Sequence, residues 1–315
     1  MSHPSAGSSK KGLLSQVDYL APLPIPTGEA PTDILNNIWR KNSVYMDVGS
    51  YAIGSAVMVL WPGILLFLGM AYYFYETLPN LSFYISIGGG VIVGIPVLML
   101  IQALFQPTPL PARFNRQRRE VCIPVSATDY WIVPWETVIA KATEQQSISQ
   151  AGRHTSGILE VTFENPDPHA LSSLKFCTFC FACGGGKPAM AVWECMRSYM
   201  EIGPEAVADE TARFNRPQGV LATYKKVIVD AANKRGWFLA ILWEGFFGIF
   251  IFNILLVEVL ERLKLNPPPD LTYPDIIEWS KPLPPEQWAK RSPELELAIA
   301  QREAELAARA TKYDT

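Results

Sequence analysis

Between Asp47 and Glu76 the chain carries no Lys, Arg, Asp or Glu, and a second uncharged run extends from Leu78 to Ala112. A hydrocarbon core of roughly 30 Å needs about 20 apolar residues of helix. Tyr51 to Tyr75 and Phe83 to Phe105 each supply that length, so a transmembrane hairpin is expected over 51–105. Trp61-Pro62-Gly63 and Ile95-Pro96 would break soluble helices but are tolerated in a membrane bundle. Tyr72, Tyr73 and Tyr75 cluster where an aromatic belt would sit.

A third apolar stretch, Trp237 to Val257, is interrupted only by Glu244 and Asn253 and predicts a third span over 236–258. Basic residues flank the spans: Arg40 and Lys41 before the first, Arg113, Arg116, Arg118 and Arg119 after the second, and Lys225, Lys226, Lys234 and Arg235 before the third. The positive-inside rule puts these clusters on the cytoplasmic side and the Pro79 turn outside. Three crossings would send the tail outward, although Arg262 and Lys264 beside Glu258 and Glu261 leave its side ambiguous. The expected localisation is a multi-pass membrane protein with a cytoplasmic main domain. A formal net charge of -3 over 315 residues gives no nucleic-acid footprint.

Residues 1–30, with a Pro-rich stretch and no secretory h-region, read as a mobile arm, and 31–50 as a short interfacial helix anchored by Trp39. Alternation predicts strands over 118–126, 130–133, 137–142, 158–163 and 174–182, and the period then changes to a helix over 188–202. An α+β cytoplasmic domain is therefore expected over 106–235. Residues 259–315 divide into an extended Pro-rich linker and a helix capped by Ser292 and opened by Pro293. Its stripe of Leu295, Ile299, Arg302 and Leu306 could dock on its own domain, on a second copy in a homo-oligomer, or on a partner.

Within this domain, Arg113-Phe114-Asn115-Arg116, Arg118-Arg119-Glu120-Val121 and Val133-Pro134-Trp135-Glu136-Thr137-Val138 resemble the start of the DUF6708 family of uncharacterised bacterial membrane proteins. The wider order, a helical hairpin followed by a basic strand, a Pro-Trp-acid strand, alternating strands and a closing helix, is similar to bacterial proteins with a pleckstrin-homology-like domain. These resemblances imply a membrane α-helical plus α+β protein whose folded domain is a PH-like barrel or sheet with a closing helix. Some members of the first family lie near type VI secretion components, which implies an immunity or accessory role toward a membrane-acting effector. The rival expectation is a membrane-anchored regulator or scaffold that binds a protein partner or lipid headgroups.

Arg113-Phe114-Asn115-Arg116 recurs as Arg213-Phe214-Asn215-Arg216. Arg113, Phe114, Arg116, Arg118, Arg119, Trp135, Arg213, Phe214 and Arg216 are the candidate residues for membrane anchoring or partner binding, and internal salt bridging is the remaining alternative. Glu244 and Asn253 are intramembrane polar groups; a carboxyl at that depth is expected to be protonated or paired. Cys177, Cys180 and Cys183 with Cys195 could hold zinc or an iron-sulfur cluster. Against this, x2 spacings on a strand put Cys177 and Cys180 on opposite faces, and Lys187 stands where the iron-sulfur pattern requires Cys, so buried structural thiols are expected and no cofactor. Gly184-Gly185-Gly186-Lys187 lacks the phosphate-loop signature and reads as a turn before a helix. His3, His154 and His169 have no nucleophile or carboxylate at a telling spacing, and no catalytic motif appears, so a non-enzymatic protein is expected.

Overall fold

A computed structural model describes residues 4–51, 53–126, 128–149, 152–171, 175–209, 211–214 and 217–313. It is mixed helix and sheet and divides into two compact units: residues 1–50, 110–211 and 270–315 form one, residues 51–109 and 212–269 the other.

The first unit contains two five-stranded antiparallel sheets. One runs β1 (Ser9–Lys11), β2 (Ser15–Ala21), β8 (Ile139–Ser149), β9 (Gly152–Glu164), β10 (Phe176–Ala182). The other runs β3 (Ile38–Lys41), β4 (Tyr45–Val48), β5 (Ala112–Asn115), β6 (Glu120–Pro124), β7 (Tyr130–Pro134). The five strands anticipated from alternation correspond to β6 to β10. Helix α3 (Gly186–Glu201) contributes to the core shared by both sheets: Val192, Trp193, Met196, Tyr199 and Met200 are buried with Phe114, Val121 and Trp135 of one sheet and Leu159, Val161 and Phe163 of the other. Trp135 stacks on Trp193 at 5.3 Å and meets the edge of Phe114 at 5.8 Å.

Several segments differ from expectation. Residues 4–30 do not form a free arm: β2 pairs with β8, and Leu20 and Ala21 join the core. Residues 31–50 form a β-hairpin instead of an interfacial helix. Asn36 in the left-handed region (φ 54) interrupts any helix, and the Asn42 side chain accepts from the amides of Val44 and Tyr45 at 2.7 and 2.9 Å, closing the β3–β4 turn. Trp39 is buried rather than interfacial, and a Cβ on Gly49 would lie 2.3 Å from its ring. The folded domain is also not a continuous 106–235, since 212–235 belongs to the second unit and the tail to the first. The Pro-rich stretch is not an extended linker. It contains α7 (Pro274–Trp279), and Leu271, Tyr273, Ile276 and Trp279 bury against Cys122 on the outer face of β6, the last three at the i, i+3 spacing of one helix face.

Helix α8 (Pro293–Tyr313) starts as expected: the Leu295 amide donates to the Ser292 hydroxyl at 3.1 Å. It docks on its own domain, burying Leu295 and Ile299, while Arg302 Nε donates to the Pro26 carbonyl at 3.1 Å. The turn into α3 demands glycine at 157, where a Cβ would stand 2.2 Å from the Gly185 carbonyl group. The first amide of α3, Gly186 N, donates to Glu144 Oε2 at 2.9 Å.

The second unit holds α1 (Ile53–Phe74) and α2 (Pro79–Phe105). Gly54–Phe74 and Pro79–Phe105 are long and apolar enough to cross a membrane, and only 11% of each apolar window is buried by protein. Helix α4 (Val220–Arg235) leads into α5 (Trp237–Ala240), which continues as a π-helix over Ile241–Ile251. The expected third span is therefore not one straight helix. It breaks at Phe252–Asn253, where Asn253 adopts a left-handed conformation and caps α6 (Ile254–Leu265), and the two pieces meet at 68°. Val57 of α1 packs with Val257 and Leu260 of α6.

Candidate functional site

Strand pairing places the basic motif residues against acids of neighbouring strands. Asp47 lies opposite Arg40 on one side and Arg113 on the other, a row across β3, β4 and β5. Arg113 Nε and Nη2 donate to Asp47 Oδ1 and Oδ2 at 2.6 and 2.8 Å, a two-pronged match of planar groups. Arg113 Nη2 also reaches Asp270 Oδ1 at 2.6 Å, its Nη1 reaches Ser280 Oγ at 3.0 Å, and the guanidinium lies 3.9 Å over the Tyr45 ring. Asn115 Nδ2 and Arg118 Nε both donate to the Trp279 carbonyl at 3.0 Å, while Trp279 Nε1 donates to Glu120 at 2.7 Å. Gln117 accepts from the Leu283 amide through its side chain and from the Ala289 amide through its carbonyl. The Arg113 to Glu120 stretch thus grips the chain's own tail.

A second network centres on Glu201, at the end of α3. Its carboxylate accepts from Arg119 at 2.8 and 3.1 Å, from Trp135 Nε1 at 2.7 Å and from Arg291 at 2.6 Å. A carboxylate at a helix C-terminus is disfavoured by the helix dipole, and these donors offset that. Arg119 itself sits at φ 52 and also reaches Glu136 at 3.0 Å. Further up α3, buried Glu194 accepts from Thr27 N and Oγ1 at 3.2 and 2.9 Å and from Arg197 Nε at 2.7 Å. The N-terminal segment and the tail are therefore tied to the central helix by its two buried acids.

Burial of Glu136 raises its carboxyl pKa, but the Ser292 hydrogen bonds and Arg119 outweigh that and hold it below its ordinary value of 4.5. A carboxyl depressed in the folded state contributes stability above the unfolded value and loses it as pH falls through the folded one. We expect the attachment of α8 to loosen below about pH 4.5, read by hydrogen exchange of its first turn, and Glu136→Gln to flatten that dependence.

Of the residues predicted to anchor or bind, Arg113, Phe114, Arg119 and Trp135 are buried and committed inside the first unit. Arg116 donates to the Ile202 carbonyl at 3.2 Å and stands over Trp288. Arg113 and Arg119 make internal salt bridges, one of the three alternatives, whereas Arg116 and Arg118 donate to backbone carbonyls. In the second copy Phe214 is buried, whereas Arg216 and the side chain of Arg213 lie outside the described residues. The two copies fall in different units. Glu244 pairs with Arg235, and Asn253 caps α6 through its side chain.

The cysteines do not converge. Cys177 is half-buried on the inner face of β10 with Phe179 and Phe181, Cys180 is exposed on the opposite face, and Cys183 and Cys195 are buried. Among the described residues no group of three or more His, Cys, Asp or Glu is placed to hold a metal. Burial pushes the Cys122 thiol up to about 12 and Cys183 to about 11. In native protein at pH 8, Cys180 is expected to alkylate and Cys122 to stay unmodified until unfolding, as peptide mass spectrometry would report. Labelling of Cys122 at the rate of Cys180 would contradict the sealed α7 packing. His169 is an exposed loop residue, and His3 and the side chain of His154 lie outside the described residues.

The role of the tail was the main feature missed from sequence. Its signal was the i, i+3 spacing of Tyr273, Ile276 and Trp279 behind Leu271, which marks a buried strap rather than a linker. No family model, curated protein or solved structure matches the chain.

Proposed function

We propose that the chain is a non-enzymatic integral membrane binding protein of the bacterial inner membrane, in which α1 and α2 span the bilayer and anchor the two-sheet unit on the cytoplasmic side. The observation that carries this reading is the apolar surface of α1 and α2, left almost wholly uncovered by protein over lengths that match a hydrocarbon core. Such helices have lipid as their solvent. The inward-turned arginines favour a folded unit that holds itself together and presents its remaining surface to a protein. The motif resemblance supports the narrower role of an immunity or accessory protein toward a membrane-acting type VI effector. The open outer edge of β10, at the end of its sheet, supports the alternative of a PH-like scaffold that pairs with an extended segment of another protein.

Co-expression tests the narrower role. Cells making an effector encoded beside this gene should survive when the full chain is present and die when α1 and α2 are deleted. Continued killing in the presence of the full, carbonate-resistant chain would reject immunity and leave the scaffold reading.

A further inference from the structure

The first unit is assembled from residues 1–50, 110–211 and 270–315. The first two stretches share hydrogen-bonded sheets, and the third is tied to them by the Arg113 to Asp270 and Arg291 to Glu201 ion pairs. They must therefore lie on one side of any bilayer that the chain crosses. Two connections leave this unit and return to it, so each must cross an even number of times. The first, 51–109, contains α1 and α2 and crosses twice. The second, 212–269, contains one broken apolar stretch, Trp237–Leu265.

A single crossing by that stretch is excluded by parity. Two crossings are excluded by length: Trp237–Ile251 spans at most about 22 Å and Ile254–Leu265 about 18 Å at helical rise, both short of roughly 30 Å. The second piece also carries Glu258, Glu261, Arg262 and Lys264. We infer that Trp237–Leu265 is a re-entrant element, entering one leaflet and leaving on the side from which it came. Its partner surface is the acyl region of that leaflet. Lys225, Lys226, Lys234 and Arg235 precede it, which makes the leaflet the cytoplasmic one.

The side chains and backbone are arranged for such a dip. Trp237, Phe238, Ile241, Trp243, Phe246 and Phe250 are exposed to whatever surrounds the element, as lipid-facing residues would be. Irregular backbone at membrane depth needs polar partners from the protein itself. Here the Tyr224 hydroxyl donates to the Glu244 carbonyl and Trp61 Nε1 donates to the Phe250 carbonyl at 3.0 Å. Glu244 enters as an ion pair with Arg235. On the return arm, Arg262 pairs with Glu258 at 2.9 Å and donates to Thr223 at 2.7 Å, and Lys264 donates to the Gln106 carbonyl at 2.9 Å. The charged side chains of the return arm, Glu258 to Lys264, thus lie toward its end.

The inference rests on the membrane reading of α1 and α2, and the experiment separates the two. The full chain, in a Cys180→Ser background, is first extracted with alkaline carbonate. It is then probed with a membrane-impermeant maleimide at Asn80→Cys, in the α1–α2 turn, and at Leu263→Cys, which is 73% exposed on the return arm. Asn80→Cys should label only from outside intact spheroplasts, and Leu263→Cys only in inverted vesicles. As a second readout, green fluorescent protein fused after Thr315 should fluoresce, and alkaline phosphatase fused there should be inactive. Labelling of Leu263→Cys from outside, or an active phosphatase after Thr315, in a carbonate-resistant chain overturns the re-entrant element alone. Release of the chain by carbonate overturns the membrane reading and this inference with it.

Discussion

Arg113→Ala is expected to destabilise the two-sheet unit by about 3–5 kcal/mol, the usual consequence of removing one partner from a buried ion pair. Asp47 has no exposed surface, and without Arg113 it keeps only the longer contact from Arg40 at 3.3 Å. The same guanidinium holds Asp270 and Ser280, so the tail should loosen along with the sheet. Urea unfolding of the full chain in detergent measures the first effect, and cleavage by a glutamate-specific protease after Glu278, within α7, the second. Arg113→Lys should fall between, because an ammonium cannot reproduce the two-pronged contact. Replacing both partners, Arg113→Met with Asp47→Leu, should be milder than Arg113→Ala, since no charge is then left buried alone. An Arg113→Ala variant with wild-type stability and an uncleaved tail would refute the assignment of this row as the clamp.

Glu201→Ala is expected to have an effect of similar size, about 3–5 kcal/mol, for a different structural reason. One carboxylate with 1% of its side chain exposed accepts from Arg119, Trp135 and Arg291 at once. Its removal leaves the indole N–H of Trp135 without an acceptor in the core and Arg119 with Glu136 alone. Arg291→Ala should be less damaging, since about a third of that side chain is exposed, yet it should specifically raise hydrogen exchange at the start of α8. If Arg291→Ala and Glu201→Ala were equally destabilising, the weight of the network would lie in the tail and not in the core.

Much of the architecture was legible in the chain because its cause is local. Strands β6 to β10 announce themselves by alternation, and in β6 and β7 the alternation is real on both faces: Val121, Ile123 and Val133 enter the central core while Cys122, Tyr130 and Ile132 meet α7. The start of α8 was legible from Ser292 and Pro293 for the same reason. The candidate binding residues were legible as a motif but not in direction. Arg113 finds Asp47 and Asp270 at separations of 66 and 157 residues, and nothing near Arg113 in sequence says that acids will meet it there. Read alone, a cluster of arginines beside a membrane segment points to phosphates. Once folded, Arg113 and Arg119 meet the chain's own carboxylates, and Arg116 and Arg118 its backbone carbonyls.

The apolar runs settle by themselves that Gly54–Phe74 and Pro79–Phe105 are long and apolar enough to cross a membrane, because length and hydropathy are one-dimensional quantities. The route of the chain between such runs is not one-dimensional. Only the tertiary structure decides it, by returning residues 270–315 to the sheets of 1–50 and 110–211 and so constraining what 212–269 can do. The physical reason is that buried charge must meet its partner in space, however far apart the two stand along the sequence.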